Sequence, residues 1–234
     1  MREQAERDAR RRRALVVTIA AVLVVGLVVG GGVLVQSLRS QAARDAAAPT
    51  GTSEHGGLLV GDADAPVVVT QYVDFMCPAC KQFEDENATV LDDLREQGEI
   101  AVEYVPVAIL DRFSQGTRYS TRSAGAAYCA VEDDPQVLPA LTAALFAAQP
   151  AEGSTGLDDD ELVRIAADAG AGEATQQCIT DGTYTGYVAA VTDRASQDGL
   201  QGTPTIRVDG VDLQDRSTAG LQAAITAARE ESTR

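Results

Sequence analysis

The chain reads as an α/β domain interrupted by a helical insertion subdomain and preceded by one N-terminal transmembrane helix. Three observations predict this. An uncharged stretch, ALVVTIAAVLVVGLVVGGGVLV at residues 14–35, follows a cluster of arginines. Strand-like runs combine with a helical run on either side of a long middle region, in the order β-β-α-β before it and β-β-α after it. The middle region, residues 114–199, carries helical spacing, with Gly, Pro and Asp as the breaks.

The apolar stretch comes first. Its roughly 22 residues at about 1.5 Å each give about 33 Å, enough to cross a hydrocarbon core of about 30 Å. A secretory apolar region spans only about 7–15 residues, so an uncleaved signal-anchor is expected, with cleavage near residues 46–48 as the alternative. Arg10, Arg11, Arg12 and Arg13 flank its N-terminal end. Residues 1–13 are therefore expected in the cytoplasm, and the rest outside the cell membrane, in a single-pass arrangement.

Of 19 basic and 35 acidic residues, six and three lie in residues 1–13, leaving 13 basic against 32 acidic. A body so acidic, with no basic cluster, excludes a nucleic-acid surface as an expectation. Residues 36–57 are polar and rich in Ala, Gly, Ser and Thr, and read as a tether. The single histidine, His55, falls there and is read as inert.

The folded domain is expected over residues 58–231. A short strand near residue 58 leads through a turn at 62–66 into a strand over 67–74, whose VVV start suits burial on both faces. A helix follows, with Phe83, Val90, Leu91 and Leu94 at helical spacing and Gly98 as its stop. Residues 100–109 alternate as the next strand, parallel to the previous one. Insert helices are expected over 116–131, 135–148, 158–169, 173–180 and 183–197. Asp209–Gly210 then marks a hairpin, and Ser217 or Thr218 caps a last helix with the stripe Leu221, Ala224, Ile225 and Ala228.

Four cysteines lie on the expected outer, oxidising side: Cys77, Cys80, Cys129 and Cys178. The first two sit in DFMCPAC, where a strand gives way to a helix. Residues three apart on a helix have Cα atoms about 5 Å apart, within the range of about 4.4–6.8 Å that a disulfide needs. Helix N–H groups favour a thiolate at Cys77, and Pro78 suits the first turn. Cys77 is then the exposed nucleophile and Cys80 the more buried resolving thiol. Zinc would need four ligands, and Cys129 and Cys178 are not paired in a second CxxC. An inert CxxC bridge closes too small a loop to stabilise much. Asp74 is read as a helix cap, with proton transfer as its alternative.

A buried strand ending in VDFMCPAC, a helix, and a distant GTPT before a hairpin and final helix resemble the thioredoxin superfamily. Within it they resemble the DsbA-like proteins, whose fold is likewise split by a helical insertion. STRSAGAAYCA, 120–130, is similar to the insert helix of that group. The resemblance implies a thioredoxin fold and a thiol–disulfide oxidoreductase. In it Cys77 forms the mixed disulfide, Cys80 resolves it, Pro204 is a cis-proline, and Thr203 pairs its backbone with substrate. It implies exported polypeptides with free thiols as substrates, a membrane redox partner of DsbB or VKOR type, and no bound cofactor or metal.

Two departures stand out. Ala79 takes the place of a His between the cysteines, and Gln71 takes the place of a buried acid six residues before the first. The first predicts a weaker oxidant than the extreme of about −120 mV. Cys129 and Cys178 are read as a structural disulfide within the insert, with a relay pair or free thiols as alternatives. Reversed electron flow, as a reductase or isomerase, and a non-enzymatic binding domain are the competing functions.

Overall fold

The computed structural model describes residues 30–31 and 48–232. The expected membrane span at 14–35, apart from Gly30 and Gly31, and the expected cytoplasmic residues 1–13 lie outside the described residues. Everything below concerns the second of the chain's two compact units, residues 46–234.

A five-stranded sheet forms its centre: β1 (Leu58–Val60), β2 (Val68–Val73), β3 (Ala101–Pro106), β4 (Thr205–Val208) and β5 (Val211–Asp212). Their order across the sheet is β1-β3-β2-β4-β5. Only the β2–β3 pair is parallel; β1–β3, β2–β4 and β4–β5 are antiparallel. The parallel pair needs a crossover, which α1 (Pro78–Glu96) supplies. β2 and β3 are the central strands of this mixed sheet, and every residue of β3 is buried.

Strand alternation sends Thr70 and Tyr72 to one face, and Val69, Gln71 and Val73 to the other. Thr70 donates from its hydroxyl to the carboxylate of buried Glu103 at 2.7 Å on the first face. On the second, Gln71 is in register with Tyr104, which lies beside Glu84, Asp92 and Arg95 of α1. Gln71 therefore sits beneath α1. The last helix, α7 (Thr218–Ser232), packs against α1 and β4, with Leu221 and Ile225 buried and the Ser217 hydroxyl accepting from Gly220 N–H at its start.

The insert comprises α2 (Tyr119–Asp133), α3 (Leu138–Ala147), α4 (Asp159–Asp168), α5 (Glu173–Asp181) and α6 (Thr185–Gln197). Its start is later than spacing alone suggests, because Gln115, Gly116 and Arg118 all adopt positive φ and carry the chain round a turn first. α4 begins with a reciprocal cap between Asp158 and Glu161. α6 packs on β3, and the rings of Tyr128, Tyr184 and Tyr187 join α2 to α6.

The expected tether gives up its last residues to the domain. The Gly56 carbonyl accepts from the Tyr128 hydroxyl at 2.8 Å, the Thr52 hydroxyl from Tyr187, and the Glu54 carbonyl from Arg194. Gly57 lies flat against the Glu103 side chain, where a Cβ would fall 2.2 Å from a carboxylate oxygen. Polar composition suggests a tether, but these residues reach α2 and α6 only through backbone groups and small side chains. His55 is exposed within this segment.

Candidate active site at the end of β2

β2 runs into a tight turn in which Cys77 N–H donates to the Asp74 carbonyl at 2.9 Å. Cys77 itself occupies the N-cap position of α1 with extended backbone, and Pro78 follows as the first helical residue. The Cys77 carbonyl accepts from Cys80 N–H at 3.0 Å and Lys81 N–H at 3.2 Å, so the helix closes directly on the first cysteine.

Asp74 does not cap this helix. It lies too early, and α1 has no side-chain cap bond. Its carboxylate instead accepts from Met76 N–H and, across to the chain beyond β3, from Leu110 N–H, each at 2.9 Å. The group is fully buried, and burial raises it to about 6, against the pull of those donors and of the neighbouring Ser120.

Cys77 and Cys80 are free thiols in this structure. Their environments separate them. Cys77 is lowered to about 6, chiefly by the hydrogen bond from Cys80, with support from Thr203 and the N–H groups of Cys80 and Ala79. Cys80 is pushed well above its ordinary value, first by burial and then by Cys77. Cys77 was expected to be exposed; it is only 7% exposed, against 1% for Cys80. The order of access is as expected, but the nucleophile shows a small window of surface, since the loop before β4 covers it.

That loop carries the distant residues. The Thr203–Pro204 peptide bond is cis. The Cys77 thiol donates to the Thr203 carbonyl at 3.3 Å. A groove of about 270 Å³ opens beside the pair between α1 and this loop, lined by Ala79, Gln82, Phe83, Glu86, Pro204, Arg216 and Ser217. Cys77, Cys80, Thr203 and Pro204 thus converge from residues more than a hundred apart.

Cys129 and Cys178 are bonded to each other, with Cα atoms 5.7 Å apart, joining α2 to α5. A four-thiolate zinc site is therefore ruled out, and so are free thiols at these positions. Gln71 is fully buried and both ends of its amide lack a hydrogen-bond partner. A neutral group stands under α1 where an acid was absent from the sequence.

Two further side chains lie outside the residues singled out in the sequence. Glu84, four residues beyond Cys80, is buried on the inner face of α1, and burial raises it to about 7, aided by Asp92 and Asp85. Gln149, from the insert, donates to the Phe75 and Cys77 carbonyls. The i+4 spacing from Cys80 places Glu84 on the cysteine's face of the helix; no local pattern points to Gln149.

Residues 53–227 match the family model described as Thioredoxin. The chain belongs to the thioredoxin family. Among solved structures it is similar to oxidised DsbA of Mycobacterium tuberculosis, at 32% identity with a TM-score of 0.66, covering 74% of this chain and 92% of that one. It is also similar to the reduced disulfide bond oxidoreductase DsbG of the same organism, at 30% identity, TM-score 0.64, covering 76% and 94%. Oxidised BdbD of Bacillus subtilis shares the fold at 22% identity, with a TM-score of 0.66 and 80% and 99% coverage. A curated relative, the serine/threonine-protein kinase PknE of Mycobacterium tuberculosis, is 30% identical over 158 residues; the match covers 64% of this chain and only 28% of the kinase. With two free thiols at the head of α1, Cys77 lowered and Cys80 raised from the ordinary value, this is a DsbA-like thiol–disulfide oxidoreductase.

Proposed function

We propose that the protein is a membrane-tethered oxidase that transfers its Cys77–Cys80 disulfide to the free thiols of exported polypeptides. The place of Cys77 at the head of α1, where the Cys80 thiol and the N–H groups of Ala79 and Cys80 lower its pKa, carries this reading. A stabilised thiolate is a good leaving group and favours the dithiol form, so the disulfide is readily given away.

In the reaction a substrate thiolate attacks Cys77 of the disulfide, and Cys80 leaves and takes up a proton. A second substrate thiolate attacks the substrate sulfur of the mixed disulfide and expels Cys77. Two electrons pass from substrate to enzyme; of the two protons the substrate thiols give up, one ends on Cys80 and one goes to solvent, because Cys77 leaves as the thiolate. The groove beside Pro204 offers the substrate chain a place to lie, and the Thr203 backbone offers it strand-like pairing. Reoxidation falls to a membrane protein of DsbB or VKOR type that passes the electrons to quinone. No bound cofactor enters these steps.

Tethering by residues 14–35, with residues 1–13 in the cytoplasm and the domain outside, supports encounter with both substrate and partner. The arginine cluster and the Cys129–Cys178 bridge, a feature of oxidising compartments, favour that placement. Ala79 favours the second reading, a reductase or isomerase, because it adds no charge to the thiolate. The test is the equilibrium of the Cys77–Cys80 pair in glutathione buffers. A potential above about −200 mV supports the oxidase; one near the thioredoxin value of about −270 mV overturns it in favour of the reductase.

A further inference from the structure

Gln149 follows α3 in the loop that leaves the insert, yet its side chain ends at the active site. Nε2 donates to the Phe75 carbonyl and to the Cys77 carbonyl, each at 3.0 Å. Those two carbonyls bracket the turn between β2 and α1. An amide nitrogen has two hydrogens, and here both are committed to the same short stretch of backbone.

The strut is itself held. Phe146, three residues earlier, packs its ring on Phe75 with centroids 5.1 Å apart. The loop beyond Gln149 is fastened to the start of α2, where Gln115, Thr117 and Arg122 donate to the carbonyls of Gly153, Thr155 and Leu157.

We propose that Gln149 is a positioning residue for Cys77: it ties the Phe75–Met76 and Cys77–Pro78 peptide planes together and so keeps the first N–H groups of α1 aimed at the Cys77 sulfur. Pro78 has no N–H, so the amides of Ala79 and Cys80 are the first that face the thiolate. Their direction depends on the Cys77 carbonyl plane from which α1 starts. Gln149 joins the Cys80 and Lys81 N–H groups on that carbonyl and ties it to Phe75; its loss leaves the carbonyl to the helix alone, tilts both amides and weakens the thiolate. The titratable groups facing Cys77 are Cys80 from α1 and Asp74 from the preceding turn, and neither changes in the test. The inference rests on the thiol–disulfide chemistry of Cys77 and is indifferent to the direction of electron flow.

The test uses the full chain in mild detergent. Alkylation by iodoacetamide is followed from pH 4 to 9, with the product assigned to Cys77 by mass spectrometry. Gln149→Met keeps the length of the side chain and removes both donors; Gln149→Glu replaces donors with acceptors. In each the alkylation midpoint rises by about one pH unit, so the rate at pH 6 falls about fivefold while the rate at pH 9 is unchanged. At pH 7 the exchange of the protein disulfide with two glutathione thiols, giving the dithiol and glutathione disulfide, shifts about fivefold toward the protein disulfide. A merely structural role would lower the thermal midpoint and leave the pH profile alone. Profiles of both variants that superimpose on the wild type overturn the inference by itself. A wild-type Cys77 that titrates like an ordinary thiol overturns the reading beneath it as well. Gln149→Glu brings a carboxylate of its own and is read only beside Gln149→Met; if Gln149→Met does not fold, Gln149→Leu takes its place.

Discussion

Replacing both bridge cysteines, Cys129→Ser with Cys178→Ser, distinguishes a clamp from a relay. The bond closes a loop with a sequence separation of 49 between α2 and α5. Closing a loop of about 50 residues removes about 14 cal/mol/K from the unfolded chain, or about 4 kcal/mol at 25 °C. The two helices also pack on each other, with the Thr175 hydroxyl donating to the Cys129 carbonyl at 3.5 Å. The folded state therefore survives the loss, and the cost falls mainly on the freedom regained by the unfolded chain. A domain of this size answers about 1 kcal/mol with about 2–4 °C, so the midpoint falls by about 8–16 °C. The assay is urea unfolding followed by circular dichroism, beside the pH profile of Cys77 alkylation on the same samples. The double variant should unfold at lower urea, with a slope no shallower than the wild type's because the unlinked unfolded chain expands, and with an unchanged profile. A variant as stable as the wild type, or one that keeps its stability but loses exchange at Cys77, refutes the clamp.

Three further outcomes are expected. Cys77 is depressed to about 6, so its contribution to the dithiol form is lost as pH falls through 6 and grows as pH rises toward the ordinary thiol range. Urea midpoints of the dithiol relative to the disulfide form should therefore rise between pH 6 and 8, and parallel curves would contradict the shift. Glu84 is raised from 4.5 to about 7, so its contribution is full below 4.5 and is lost as pH rises through 7. Glu84→Gln should gain on the wild type between pH 4.5 and 8 by on the order of 3 kcal/mol in unfolding free energy, and a constant difference would refute the burial of that charge. Gly156 has φ +71 and a Cβ there would lie 2.3 Å from Tyr119 Cγ. Gly156→Ala should lose about 2–4 kcal/mol in urea unfolding, and a loss under about 1 kcal/mol would mean that the loop simply yields.

Local patterns made much of this fold legible. The valine-rich run that leads into β2 is buried along nearly its whole length, and burial on both faces is what such a run reports, whereas β3, whose residues alternate, is buried throughout and keeps Glu103 inside by its bond from Thr70. The Asp209–Gly210 turn has the positive φ at both residues that this dipeptide tolerates. CPAC announces itself because its chemistry depends on neighbours three residues apart. The sequence suggests a cap at Asp74 because an acid before a helix has one common local use; its carboxylate accepts instead from Met76 N–H and from Leu110, which lies beyond β3. Gln149 is 72 residues from Cys77, in a loop whose composition says only that it turns. Glu84 shows the limit of apolar counting: Cys80, Phe83, Glu84, Asn87 and Leu91 form the inner face of α1, and two of the five are polar.

The packing of residues 52–57 onto α2 and α6 sets where the domain begins. Pro49 is already buried, so the folded body starts several residues before β1. A fragment cut at Leu58 would take from the Tyr128 and Tyr187 hydroxyls and the Arg194 guanidinium the acceptors that Gly56, Thr52 and Glu54 supply.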